Sequence, residues 1–224
     1  ALKILEMILT GSCEDTSIDF ADAALTEPVM ELPDLEESGK KGPHPDQPAR
    51  FGVLDIETRR SAKEVGGWHR ADKMGVSCAV LYDSGDDQFH EYLQEDMVTL
   101  VSDLKKYDLI IGFNIIRFDY KVLSGIVDFD FHSLPTLDML LKVHERLGYR
   151  LSLDRLGKET LNAGKSADGL AALEWWKQGK IDKIIEYCRQ DVRVTRDLYL
   201  FGRKHQFLVF RNKAGHQVRV PVFW

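Results

Sequence analysis

The chain has 224 residues, 44% hydrophobic and 29% charged, with a formal net charge of −6. That length suits one buried core, or one core with an appendage, and the absence of any run of about 18 apolar residues excludes a membrane-spanning helix. The apolar start, Ala1 to Leu9, is short and lacks a basic flank or a small-residue cleavage site, so no signal peptide is expected. Cys13, Cys78 and Cys188 are scattered and show no Cys-x-x-Cys spacing. A disulfide framework or a structural zinc site is therefore not expected, and a reducing cytoplasm fits this usage.

Charge is unevenly spread. Residues 1–50 hold eleven acids and four Lys or Arg, whereas residues 51–224 hold 25 acids and 26 bases. The first stretch, apart from two potential helical turns over Leu2–Leu9, is acidic and turn-rich, as in Glu36-Glu37-Ser38-Gly39 and Gly42-Pro43. It reads as an arm or linker over residues 1–49. A domain beginning at Arg50 would then be close to neutral and, outside an acidic pocket, modestly basic, which is compatible with a phosphodiester substrate.

From there strands and helices alternate. Phe51–Ile56 reads as a short apolar strand, Gly75–Tyr82 as a second and Gln88–Leu93 as a third, with Asp83–Asp87 as the turn between the last two. Met97, Leu100, Val101 and Leu104 give Glu95–Lys106 a helical period, Asp108–Phe113 is a buried strand, and Phe118–Ile126 a short helix. Helices are expected over Thr136–Leu147, Leu153–Leu161 and Gly169–Gln178, then a long one over Lys180–Lys204. Two strand-like runs, Phe207–Arg211 and Gln217–Val222, predict a hairpin within residues 206–224. This order implies an α/β domain, residues 50–224, with a mixed sheet between helices.

Three segments carry the chemistry. In Leu54-Asp55-Ile56-Glu57-Thr58, positions i and i+2 share one strand face, so Asp55 and Glu57 would lie side by side. Like charges so placed call for a cation, and oxygen-only donors suit Mg²⁺ or Mn²⁺. In Gly112-Phe113-Asn114-Ile115-Ile116-Arg117-Phe118-Asp119, the fourth strand delivers Asn114 at its carboxyl end and Asp119 in the next helical turn. In Tyr187-Cys188-Arg189-Gln190-Asp191, the i,i+4 spacing sets Tyr187 and Asp191 on one helix face. An acid on that apolar stripe requires a partner, either an arginine such as Arg193 or a metal.

Together the three segments resemble the exonuclease motifs of the DEDD superfamily, which has the RNase H-like fold, and Tyr-x-x-x-Asp resembles its DEDDy branch. The likeness extends to the exonuclease domains of family B DNA polymerases and to bacterial stand-alone or helicase-linked RNase H-like exonucleases. It spans about residues 51–203 and leaves out the arm, the hairpin and any polymerase domain, so proofreading is not implied. The resemblance implies a metal-dependent 3′–5′ exonuclease acting on DNA or RNA. Asp55, Glu57, Asp119 and Asp191 would hold two divalent cations, Mg²⁺ or Mn²⁺, and Tyr187 would orient the attacking water.

Asn114 and Phe118 are candidates for the terminal sugar and base, with Thr58 and Arg59 beside them; Phe118 reads first as core and second as a surface on which a base could stack. Arg59, Arg60, Lys63, His69, Arg70 and Lys73 form a candidate phosphate-steering patch. Gly164–Asp168 reads as a helix-starting turn, Trp175 and Trp176 as packing, and Asp138 is left out of the metal set. The rival functions are an RNase H-like nuclease of other polarity or endonucleolytic habit, and a non-catalytic nucleic-acid-binding module. The expected partner is a single strand or 3′ end, with no membrane; a helicase or other repair protein could dock through the arm.

Overall fold

The computed structural model describes residues 48–163 and 169–224. The proposed arm, except its last residues, and the Gly164–Asp168 turn lie outside them.

Five strands form the sheet: β1 (Phe51–Thr58), β2 (Val76–Asp83), β3 (Gln88–Tyr92), β4 (Leu109–Gly112) and β5 (Thr136–Asp138), in the order β3-β2-β1-β4-β5. β1 to β3 run antiparallel in sequence, while β4 and β5 join β1 in parallel. The helices are α1 (Ala62–Val65), α2 (Met97–Leu104), α3 (Asp119–Leu123), α4 (Met139–Leu147), α5 (Leu153–Leu161), α6 (Gly169–Lys177) and α7 (Ile181–His205). A separate hairpin, β6 (Phe207–Arg211) with β7 (Gln217–Pro221), closes the chain. The mixed sheet flanked by helices is the RNase H-like architecture the motifs imply.

One expectation is corrected. Thr136–Leu147 is not helical throughout: its first three residues are β5, paired with Ile110–Gly112, and the helix begins at Met139. Asp138 marks the change, because its side chain accepts from the Leu141 amide and caps α4.

Alternation along β1 sorts the core into two layers. Phe51 and Val53 face α7, where Ile184, Tyr187, Cys188, Val192, Leu198 and Tyr199 are buried. Leu54 and Ile56 face the other side, against Leu100, Leu104, Phe118, Val122 and Leu123. Each such apolar side chain taken from water stabilises the fold by about 1.5–3 kcal/mol. Two close approaches hold the outer elements. A Cβ on Gly157 would come within 2.8 Å of Val194, so α5 lies tightly on α7. Trp224 covers Gly202 and donates its indole N–H to the Tyr199 carbonyl at 3.2 Å, which pins the chain end to α7.

Candidate active site

The site starts where β1 outlasts a neighbour. β4 pairs with β1 only over Phe51–Val53, whereas β2 follows β1 through to Thr58, with a register shift at Glu57/Thr58. Beyond Val53 the Ile56 amide finds its acceptor in a side chain: Asp119 Oδ1, 3.2 Å away at the start of α3. Asp119 is 1% exposed. The fourth strand thus ends early and the first turn of the next helix fills the gap, which places a buried carboxylate against the backbone between Asp55 and Glu57.

Asp55 and Glu57 point away from the Ile56 layer, towards α7. There they meet Asp191: one oxygen of each of the three carboxylates lies within 4.8 Å of the others. Tyr187 sits one turn before Asp191, with its ring buried and held edge-on by Trp175, centroids 6.3 Å apart. Burial, then the charges of Asp191, Glu57 and Asp55, push the Tyr187 phenol well above its ordinary range. It therefore remains a protonated donor at working pH. Arg193 donates to Gln190 at 2.6 Å and lies over the Phe89 ring.

Cys188 contributes a contact invisible in the sequence. Its fully buried thiol donates to the Asp55 carbonyl at 3.3 Å and to Oδ2 of the same residue at 3.6 Å. Burial, Cys78 and the neighbouring carboxylates push this thiol up, so it remains S–H. A short residue at this position lets α7 approach β1 closely enough for Asp191 to reach the cluster.

The loop carrying Asn114 is clamped by Asp138. Its two oxygens accept from the amides of Asn114 at 3.0 Å, Ile116 at 3.2 Å and Leu141 at 3.2 Å. This holds Asn114 in the left-handed region, φ 66°, which Asn tolerates better than most residues. Arg150 in turn donates to Asn114 Oδ1. Phe118 is buried in the core beside Trp68, with centroids 5.8 Å apart. Thr58 donates to the Arg60 carbonyl at 3.2 Å. Arg59 donates from Nε to the Val76 carbonyl at 2.7 Å and lies 4.5 Å over Trp176. Arg60, Lys63, His69, Arg70 and Lys73 lie in the segment that follows, between β1 and β2.

Asp55, Glu57 and Asp191 fit a hard divalent cation: their donors are all oxygen and they converge from β1 and α7, while Asp119, from α3, is bonded to the Ile56 amide beside them and is not itself within that 4.8 Å group. The sequence profile of the RNase H superfamily matches residues 53–201. The chain belongs to that superfamily, whose members are typically nucleases that use divalent metals. Among solved structures, the family B DNA polymerase from the hyperthermophilic archaeon Pyrobaculum calidifontis is similar in fold, with a TM-score of 0.53 and 17% sequence identity. The match covers 74% of this chain and 25% of the polymerase chain, so this protein spans about a quarter of that one. No curated protein matches the sequence.

Proposed function

We propose that this domain is a 3′–5′ exonuclease of the DEDDy type that hydrolyses phosphodiester bonds in DNA or RNA. One observation carries the reading: three carboxylates from β1 and α7 within 4.8 Å of one another, with Asp119 bonded to the strand between the first two. Asp55, Glu57, Asp119 and Asp191 would hold two divalent cations, Mg²⁺ or Mn²⁺, which when bound make hydroxide available near neutral pH and stabilise the leaving oxygen.

The chain's own residues then divide the remaining work. Tyr187, neutral and fixed by Trp175, donates a hydrogen bond that orients the attacking water. Cys188 and the Ile56 amide hold Asp55 and Asp119 in place before substrate arrives. Asn114, Thr58 and Arg59 are the proposed contacts to the terminal nucleotide, with Phe118 packed in the core. Water adds to the terminal phosphorus and the bond from phosphorus to the preceding 3′ oxygen breaks. A nucleoside 5′-monophosphate leaves, and the shortened strand keeps a 3′ hydroxyl.

The test is degradation of matched DNA and RNA oligonucleotides labelled at either end, with Mn²⁺ or with EDTA. A 5′ label should pass through a ladder of successively shorter products, whereas a 3′ label should appear at once as mononucleotide. Internal cuts in the first products would point to an endonuclease, and EDTA-insensitive binding without cleavage to a binding module.

A further inference from the structure

Two cavities open on the loop and helix that carry Asn114 and Asp119. One, of about 180 Å³, is bounded by Asn114, Asp138, His144 and Arg150. The other, of about 300 Å³, is bounded by Tyr120, Lys121, Phe129 and His132. Both are lined by Ile116 and Arg117, so they meet there. The second alone reaches the lower bound of ligand clefts, ~300 Å³, and the pair exceeds it.

The charge along this groove is cationic. Arg150, Arg117 and Lys121 follow one another from the Asn114 end outward. Arg117 and Lys121 are exposed, four residues apart, and among the described residues neither side chain forms an ion pair. Of the acids lining the groove, Asp138 is 4% exposed and committed to three backbone amides, while the exposed Asp130 places its charge at the outer end, so three cations face two carboxylates and the balance stays positive. Lys105 lies 4.7 Å over the ring of Phe129 at the far end. The walls between the cations are apolar: Ile116, Leu140 and Phe129. Cations spaced along a groove with apolar walls suit an extended single strand, whose phosphates meet the cations while bases rest on apolar and aromatic surface. An acidic peptide would satisfy only the charges.

We propose that this groove is a track for the phosphodiester backbone of a single-stranded nucleic acid upstream of its reacting end, with Arg150, Arg117 and Lys121 as phosphate contacts. It deepens the exonuclease reading and rests on it for direction: the strand's end lies at Asn114 and its body runs outward over Arg117. The track uses cations other than those of the basic segment after Glu57, and it gives the protein a dependence on strand length.

The test uses the full chain in EDTA, so that binding is read without cleavage. Fluorescent oligo-dT and oligo-U of three and twelve nucleotides are titrated at several salt concentrations. Wild type should bind the twelve-mers more tightly than the three-mers. In Arg117→Ala/Lys121→Ala that length advantage should vanish, and the log–log salt slope should become shallower by about 1.4, from ~0.7 for each phosphate no longer neutralised. Arg117→Glu alone should do the same in part, and serves if the double variant melts abnormally. An unchanged length advantage and slope would overturn the track, as would equal competition by polyglutamate of matched charge. Nucleotide release with Mn²⁺ is scored separately. Length-dependent binding without release would sink the nuclease reading and leave the track; release with unaltered length dependence would do the reverse.

Discussion

The two ends of β1 hold two clusters of ligand-type side chains in different strand environments. At its start, Asp83 and Asp86 gather with His90 so that their ligand atoms lie within 4.8 Å. There the protein supplies the cation itself: Arg50 donates from two nitrogens to the two oxygens of Asp83, drawing that carboxyl down to about 2. At the other end one oxygen each of Asp55, Glu57 and Asp191 gather within the same 4.8 Å, beside the buried phenol of Tyr187. A cluster of carboxylates is therefore not in itself a site. What separates the two is the strand environment: β4 flanks the start of β1 and abandons its end, and α7 and α3 bring acids to the end so exposed.

The contrast yields predictions in descending size. Asp55→Ala or Asp191→Ala should cut Mn²⁺-dependent nucleotide release by more than ~100-fold, beyond the range typical of residues that only support metal ligands. Asp83→Ala, assayed on the same labelled oligonucleotide, should retain near-wild-type release. Comparable losses at both ends would erase the distinction.

Tyr187→Phe should lower the turnover rate by about 100-fold, the lower end for a positioned proton donor. Because burial and three carboxylates hold the phenol protonated, its removal should leave the alkaline limb of the pH–rate profile where it was. A limb that moved with the substitution would make Tyr187 a titrating base.

Mn²⁺ at 100 times its dissociation constant should stabilise the native state by about 2.7 kcal/mol. For a chain of this size that is a rise of roughly 5–11 °C in Tm. The rise should disappear in Asp191→Ala and persist in Asp83→Asn, as read by scanning calorimetry with and without the ion.

The smallest effect concerns the Arg50 end. A carboxyl drawn down in the folded state adds stability above its ordinary value, 3.8, and loses that contribution as pH falls towards about 2. Asp83→Asn should therefore lower Tm at pH 7, and its difference from wild type should shrink progressively below pH 4 on acid titration.

Much of the fold was legible because single elements announce themselves locally. The i,i+2 acids of β1 and the i,i+4 pair of α7 each show which side chains share a face, and the turn residues Asp83–Asp87 and Asn212–Gly215 mark both hairpins. β5 was not legible: three residues are too few for a strand period, and Met139-Leu140 continue the apolar pattern of the helix that follows. Contacts across elements were equally hidden. That Cys188 donates to Asp55, that Asp138 clamps the Asn114 loop and that Arg150 holds the Asn114 side-chain amide all depend on pairings between distant positions. Asp138 did leave one trace, an acid where an N-cap would sit.

Manganese binding read by electron paramagnetic resonance tests the central claim most directly, since free and bound Mn²⁺ are distinguished without any assumption about substrate. Two ions per chain are expected for wild type, with fewer or weaker in Asp191→Ala and no change in Asp83→Asn. A titration in which wild type takes up no Mn²⁺, or in which Asp83→Asn loses it while Asp191→Ala does not, would contradict the account.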